Sequence, residues 1–142
     1  MSVLLQTQGL GVSFGGVHAV KAVAFTLHRG ERRCLIGPNG AGKSTFFKLL
    51  SGQLKPTHGS CHFQAERISG LPPHRIARLG IGIKTQTPSV FDGLDVLENL
   101  RLAASRNQSA AQARQTAEQT LQRIDLSEHR HRLVGDLAHG QR

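Results

Sequence analysis

The sequence has no tryptophan and no tyrosine, and its aromatic residues are six phenylalanines in 142 positions. It therefore lacks the stacking platforms by which single-stranded nucleic acid is commonly held. Cysteine is scarce too: Cys34 and Cys61 lie far apart with no C-x-x-C context, which excludes a disulfide framework. Both are expected to be reduced thiols buried in strands. No apolar run approaches the ~20 residues of a membrane-spanning helix. No charged stretch leads into an apolar one at the N-terminus, so no secretory leader is expected. Acidic residues are few, nine against eighteen Lys and Arg, for a net charge of +9. That excess predicts an acidic partner: nucleic acid, anionic lipid or a phosphate ligand. The arginines are scattered, with no block of five or more.

Eight histidines invite a metal reading, above all His58 and His62 beside Cys61. An H-x-x-x-H pair needs a helix to bring both rings to one side, however. Pro56 to Ser60 reads as a turn entering a strand, so no metal site is expected there.

Glycine is plentiful, at sixteen residues. From Val3 to about Ile36 the pattern is strand-like, with turn signals at Gly15–Gly16 and Arg29–Gly30. Arg33 to Ile36, short, apolar and bounded by Gly37–Pro38, predicts a buried strand of a parallel sheet. A helix is predicted to open at Lys43, with Phe46, Leu49 and Leu50 on one face and Gly52 ending it. "THGSCHFQ" predicts a turn and strand, "PPHRIARLG" a short basic helix, and "IGIKTQ" another strand. The remainder reads as helical. Asp95 with Glu98, and Ser109 with Gln112, form two capping boxes. The second opens a stripe of Ala110, Ala113, Ala117, Leu121 and Ile124.

Between the predicted strand and the predicted helix, Gly37-Pro38-Asn39-Gly40-Ala41-Gly42-Lys43-Ser44 fits G-x-x-x-x-G-K-[ST]. Its glycines let successive backbone N–H groups curl into a nest for phosphate oxygens. The helix N-terminus adds about half a positive charge. Lys43 is suited to the β- and γ-phosphates and the Ser44 hydroxyl to Mg²⁺. A plain glycine turn with an N-capping serine would explain the glycines but not Lys43, which faces the wrong end of the helix dipole unless an anion is present. Gly9-Leu10-Gly11 superficially opens a dinucleotide fingerprint, but Phe14 stands in the third glycine's place and no helix follows.

Phosphate loops serve many enzymes, so the loop alone does not choose among them. "GPNGAGKST" after a β-rich arm, followed by "GQLKPTHG", Gln86 and a terminal "LAHGQR", resembles the ATP-binding subunit of ABC transporters along the whole chain. "LPPHRIARLGIG" and "TPSVFDGLDVLENL" resemble its branched-chain amino acid and urea uptake branch. The resemblance implies an α/β fold: a P-loop NTPase of ABC type with a β-rich arm, a partial RecA-like parallel-sheet core and a helical subdomain, truncated at the C-terminus. Residues 1–36 would be the arm and the strand before the loop. Residues 37–86 would carry the loop, core helix and Q-loop strand, and residues 87–142 the helical subdomain as far as the signature motif. Gly37 to Thr45 would hold the ATP phosphates, Lys43 and Gln86 would be catalytic, and Ser44 and Gln86 would ligate Mg²⁺. Phe14 would stack on adenine with Ala19 as its small neighbour.

Leu137-Ala138-His139-Gly140-Gln141 would be the signature, capping ATP held by a second ATP-binding subunit. Ala138 replaces the usual serine and Thr85 an aromatic often found before Gln86. The partners implied are membrane-spanning permease subunits, a second ATP-binding subunit (the same or different) and, indirectly, a solute-binding protein, with no nucleic acid. The location implied is the cytoplasmic face of the membrane, as a peripheral subunit, with solute uptake driven by ATP and Mg²⁺. Two other readings are a non-catalytic nucleotide-binding remnant and a non-transport ABC-type ATPase acting on nucleic acid. In the family, a Mg²⁺-binding Asp, a general-base Glu and a switch His follow the signature. The isolated 142-residue chain is therefore expected to show no ATP turnover, and to be poorly soluble for want of the strands that complete its sheet.

Overall fold

A computed structural model describes residues 2–85, 89–106, 108–138 and 140. They fall into two compact units, Met1–Lys84 and Thr85–Arg142.

The first unit is built on an antiparallel sheet. β1 (Val3–Phe14) and β2 (Val17–His28) form a long hairpin turning at Gly15–Gly16, and β3 (His58–Phe63) and the short β4 (Glu66–Arg67) extend it in the order β2-β1-β3-β4. In β1 the buried side chains are Leu5 and Thr7 at first, then Leu10 and Val12. That change of phase coincides with a register shift against β2 between Thr7 and Leu10, since one extra residue moves side chains to the other face. Thr7 can be buried because its hydroxyl donates to the Val23 carbonyl, 3.0 Å away. Helix α1 (Lys43–Leu50) presents Phe46 and Leu49 to this sheet, and α2 (Pro73–Arg78), opened by Pro73 at its first position, contributes Ile76. Cys61 and Ile68 complete a core around Leu10. Burial pushes the Cys61 thiol up to about 11.

Two expectations fail in this unit, for one reason. Arg33–Ile36 forms no strand, and its Leu35 and Ile36 are 44% and 91% exposed. The described part of "IGIKTQ", residues 81–85, is irregular as well. A buried parallel strand is held by neighbours on its two sides, and all strand pairings among the described residues are antiparallel and made elsewhere. Cys34 consequently lies exposed outside any strand, against the expectation of a buried thiol. Arg33 turns back on the hairpin instead: Nη1 donates to the Thr26 carbonyl at 2.8 Å, the guanidinium lies over the Phe25 ring, and Nη2 pairs with Glu31. The His28 backbone N–H, donating to the Glu31 carboxylate, holds that acid below its ordinary value, with Arg33 and the His28 ring assisting.

The second unit is helical. α3 (Val96–Ala104) and α4 (Ala110–Arg123) are followed by 3-10 turns at Ser127–His129 and Val134–Asp136. Both capping boxes form as expected. The Glu98 N–H donates to Asp95 Oδ1 at 2.7 Å and the Asp95 N–H to Glu98 Oε2 at 3.0 Å. The Ser109–Gln112 pair repeats the arrangement. Val96, Leu97, Ala117, Leu121, Val134 and Leu137 make the core, with Leu121 fully enclosed. The predicted stripe holds at Ala113, Ala117 and Leu121 but not at its ends. Ala110 is exposed, and Ile124 is the C-cap, half exposed where the chain turns through Asp125 at φ 56°.

Candidate functional site

The glycine-rich loop leaves Ile36, runs exposed from Gly37 to Ala41 and enters α1 through Gly42. Gly42 is the N-cap at φ 82°, with Gly40 at φ 83°, a conformation that costs side-chain-bearing residues strain. Gly42 has a second constraint, set by β2. Between the pairs Val12–Val20 and Ser13–His18, β2 carries one residue more than β1, and that residue is Ala19. The bulge turns the Ala19 carbonyl oxygen onto Gly42, where a β-carbon would overlap it. Bulges re-aim backbone next to functional sites, and this one seats the loop against the hairpin.

The N-terminus of α1 has no side-chain cap and no acidic residue in its first turn. The partial positive charge of its N–H groups is therefore unopposed, the condition for binding an anion. Lys43 adds a full charge. Its ammonium folds over the loop, donating to the carbonyls of Gly37 and Pro38, each at 2.6 Å. The loop and β2 together enclose a groove of about 480 Å³, lined among others by His18, Ala19, Lys21, Gly40, Gly42 and Lys43. It is cationic and lined in part by backbone, chemistry suited to a phosphate chain. Phe25 and Phe46, in edge contact at 5.9 Å, line this groove and a second, mostly apolar one of about 390 Å³ that also holds Leu5, Glu31 and Cys34.

Of the residues singled out from sequence, the structure brings Gly40, Ala41, Gly42, Lys43 and Ala19 to one groove. Gly37, Pro38 and Asn39 are exposed and are not among its lining residues, while Ser44 is exposed and Thr45 half-buried in the first turn of α1. Phe14, half exposed, ends β1 opposite Val17 and is not among the groove's lining residues. In the other unit, Leu137 is buried, and Ala138 and Gly140 are exposed. Gln86, His139 and Gln141 lie outside the described residues. The sequence reading missed the bulge at Ala19, and with it His18 and Lys21 as groove residues. No local signal marks a bulge inside a run such as "VHAVKAV"; it emerges only from the register against β1.

Comparison with known proteins gives a consistent result. The family described as "ABC transporter" matches residues 20–142. The chain is 34% identical to the high-affinity branched-chain amino acid transport ATP-binding protein BraF of Pseudomonas aeruginosa, over 97% of its own length and 60% of that protein's. It is 37% identical to LivG of Escherichia coli K12, which carries the same description, over 96% of its length and 60% of that protein's. The chain thus spans about three fifths of the length of these relatives. Among solved structures, the ADP conformation of an ATP-binding cassette of an ABC transporter superposes with a TM-score of 0.81 at 28% identity, covering 99% of this chain and 61% of that one.

Proposed function

The chain belongs to the ABC transporter family, and from that premise we propose that it is the nucleotide-binding part of an ATP-driven importer. The observation that carries this reading is the uncapped N-terminus of α1, wrapped by the glycine loop and overlain by the Lys43 ammonium. A triphosphate entering there would exchange the two carbonyls now holding Lys43 for phosphate oxygens, which bind an ammonium more strongly because both partners are charged.

Gly37 to Thr45 would hold the β- and γ-phosphates, with Phe14 and Ala19 toward the base. The Ser44 hydroxyl, exposed in the first turn, suits Mg²⁺, which takes oxygen ligands and keeps several waters beside substrate phosphates. When bound, the ion neutralises charge on the phosphates. Lys43 does the same from the protein side, and transfer to water in the complete protein would rest on such positioning and charge compensation. Gln86 would orient the attacking water. Leu137 to Gln141 would meet nucleotide on a second ATP-binding subunit, with the Ala138 position contributing no hydroxyl.

The cargo proposed is a branched-chain amino acid or urea, taken up through membrane-spanning permease subunits with a solute-binding protein delivering it. The chain would be attached peripherally at the cytoplasmic face. No helix among the described residues is long and apolar enough to cross a membrane. Uptake of radiolabelled leucine and of urea, by cells carrying the native gene or Lys43→Ala, tests the proposal. Native cells are expected to take up one of the two, and the variant neither. Equal uptake of both solutes by both strains would refute it.

A further inference from the structure

One residue lining the groove beside the loop, His18, belongs to a polar pair that the ATP reading leaves without a task. Ser13 and His18 are register partners on β1 and β2, and Ser13 Oγ lies 2.8 Å from His18 Nδ1. Ser13 is half-buried while His18 is exposed and lines the groove beside Ala19 and Lys21. The imidazole is thus tied down at one nitrogen and open to solvent along its other edge. In the tautomer in which the Ser13 hydroxyl donates into Nδ1, the ring proton is on Nε2, which is then a donor.

Its position along β2 is informative. Val17 pairs with Phe14 at the hairpin end, Ala19 forms the bulge under Gly42, and His18 stands between them. A nucleotide with its phosphates in the loop and its base toward the hairpin end would pass its ribose beside His18. We propose that His18, oriented by Ser13, is a further nucleotide-contacting residue, donating from Nε2 to a ribose hydroxyl of a ribonucleoside triphosphate. The inference rests on the ATP reading above and adds to it a contact to the nucleoside side of the ligand. A merely structural Ser13–His18 pair would act as a cross-strand bond stabilising the hairpin, and would not distinguish one ligand from another.

The test uses that difference. Dissociation constants for Mg-ATP and for Mg-tripolyphosphate, which has the phosphates without the nucleoside, are measured on the full-length protein and its variants. His18→Ala is expected to weaken ATP about fivefold, the scale of one hydrogen bond, and to leave tripolyphosphate unchanged. Ser13→Ala should shift ATP in the same direction by less, and Lys43→Ala should weaken both ligands. If the alanine variant unfolds, His18→Asn, which keeps a polar group near Ser13 but falls short of the ligand, is expected to show the same selective loss. Equal effects on the two ligands, or none on either while Lys43→Ala still weakens both, would overturn the role of His18 and leave the ATP reading standing. Failure of the native protein to bind either ligand would overturn both.

Discussion

The carbonyl oxygen of Ala19 occupies the space in which a β-carbon of Gly42 would stand. This contact joins the bulge of β2 to the first turn of α1, and it makes the two positive-φ glycines of the loop unequal. Gly42→Ala meets both backbone strain and the Ala19 oxygen and is expected to cost about 1–3 kcal/mol. Gly40→Ala has open space around it and faces conformational strain alone, about 1 kcal/mol. Urea unfolding of the two variants checks the order. Equal losses would mean that the bulge does not seat the loop.

Asp95 does two jobs at the start of α3. It closes the capping box with Glu98, and its second oxygen lies 3.2 Å from His131 Nδ1. Ser109 closes only its own box. Asp95→Ala is therefore expected to lose about 1–2 kcal/mol, no less than Ser109→Ala. Thermal unfolding of the two variants measures this. A larger loss for Ser109→Ala would contradict the double role.

The two thiols should separate cleanly. Cys34 is exposed, whereas Cys61 is enclosed and its thiol is pushed up to about 11 by burial. The thiolate is the reactive form, so at pH 8 Cys61 stays protonated as well as inaccessible. A thiol reagent is expected to label Cys34 quickly and Cys61 only after denaturation, read by peptide mass mapping. Rapid labelling of both in the native protein would mean the β1–β3 core is open.

Where local chemistry decides structure, the sequence reading anticipated it. Both capping boxes, the opening of α1 at Lys43 and the burial of Phe46 and Leu49 follow from residues within one or two turns of each other. Where pairing decides, it did not. The Arg33–Ile36 run has the composition of a buried parallel strand, but a strand exists only with its neighbours, and Ile36 stands exposed. The bulge at Ala19 is a count of residues between two strands, a quantity neither strand contains alone. His18 and Lys21 went unnoticed as groove residues for that reason.

The central claim is that the bend from Gly37 to Ser44, with Lys43 lying across it, holds the phosphates of a nucleoside triphosphate. Equilibrium dialysis of Mg-ATP against the full-length native protein and its Lys43→Ala variant tests this most directly. Among the described residues the Lys43 ammonium donates only to loop carbonyls, so the substitution is expected to leave folding within about 0.5 kcal/mol of native, as for surface changes generally. Retention of Mg-ATP should fall at least tenfold, the scale of losing a charge-assisted contact of about 1.5–3 kcal/mol. Equal retention by the two folded proteins would contradict the account.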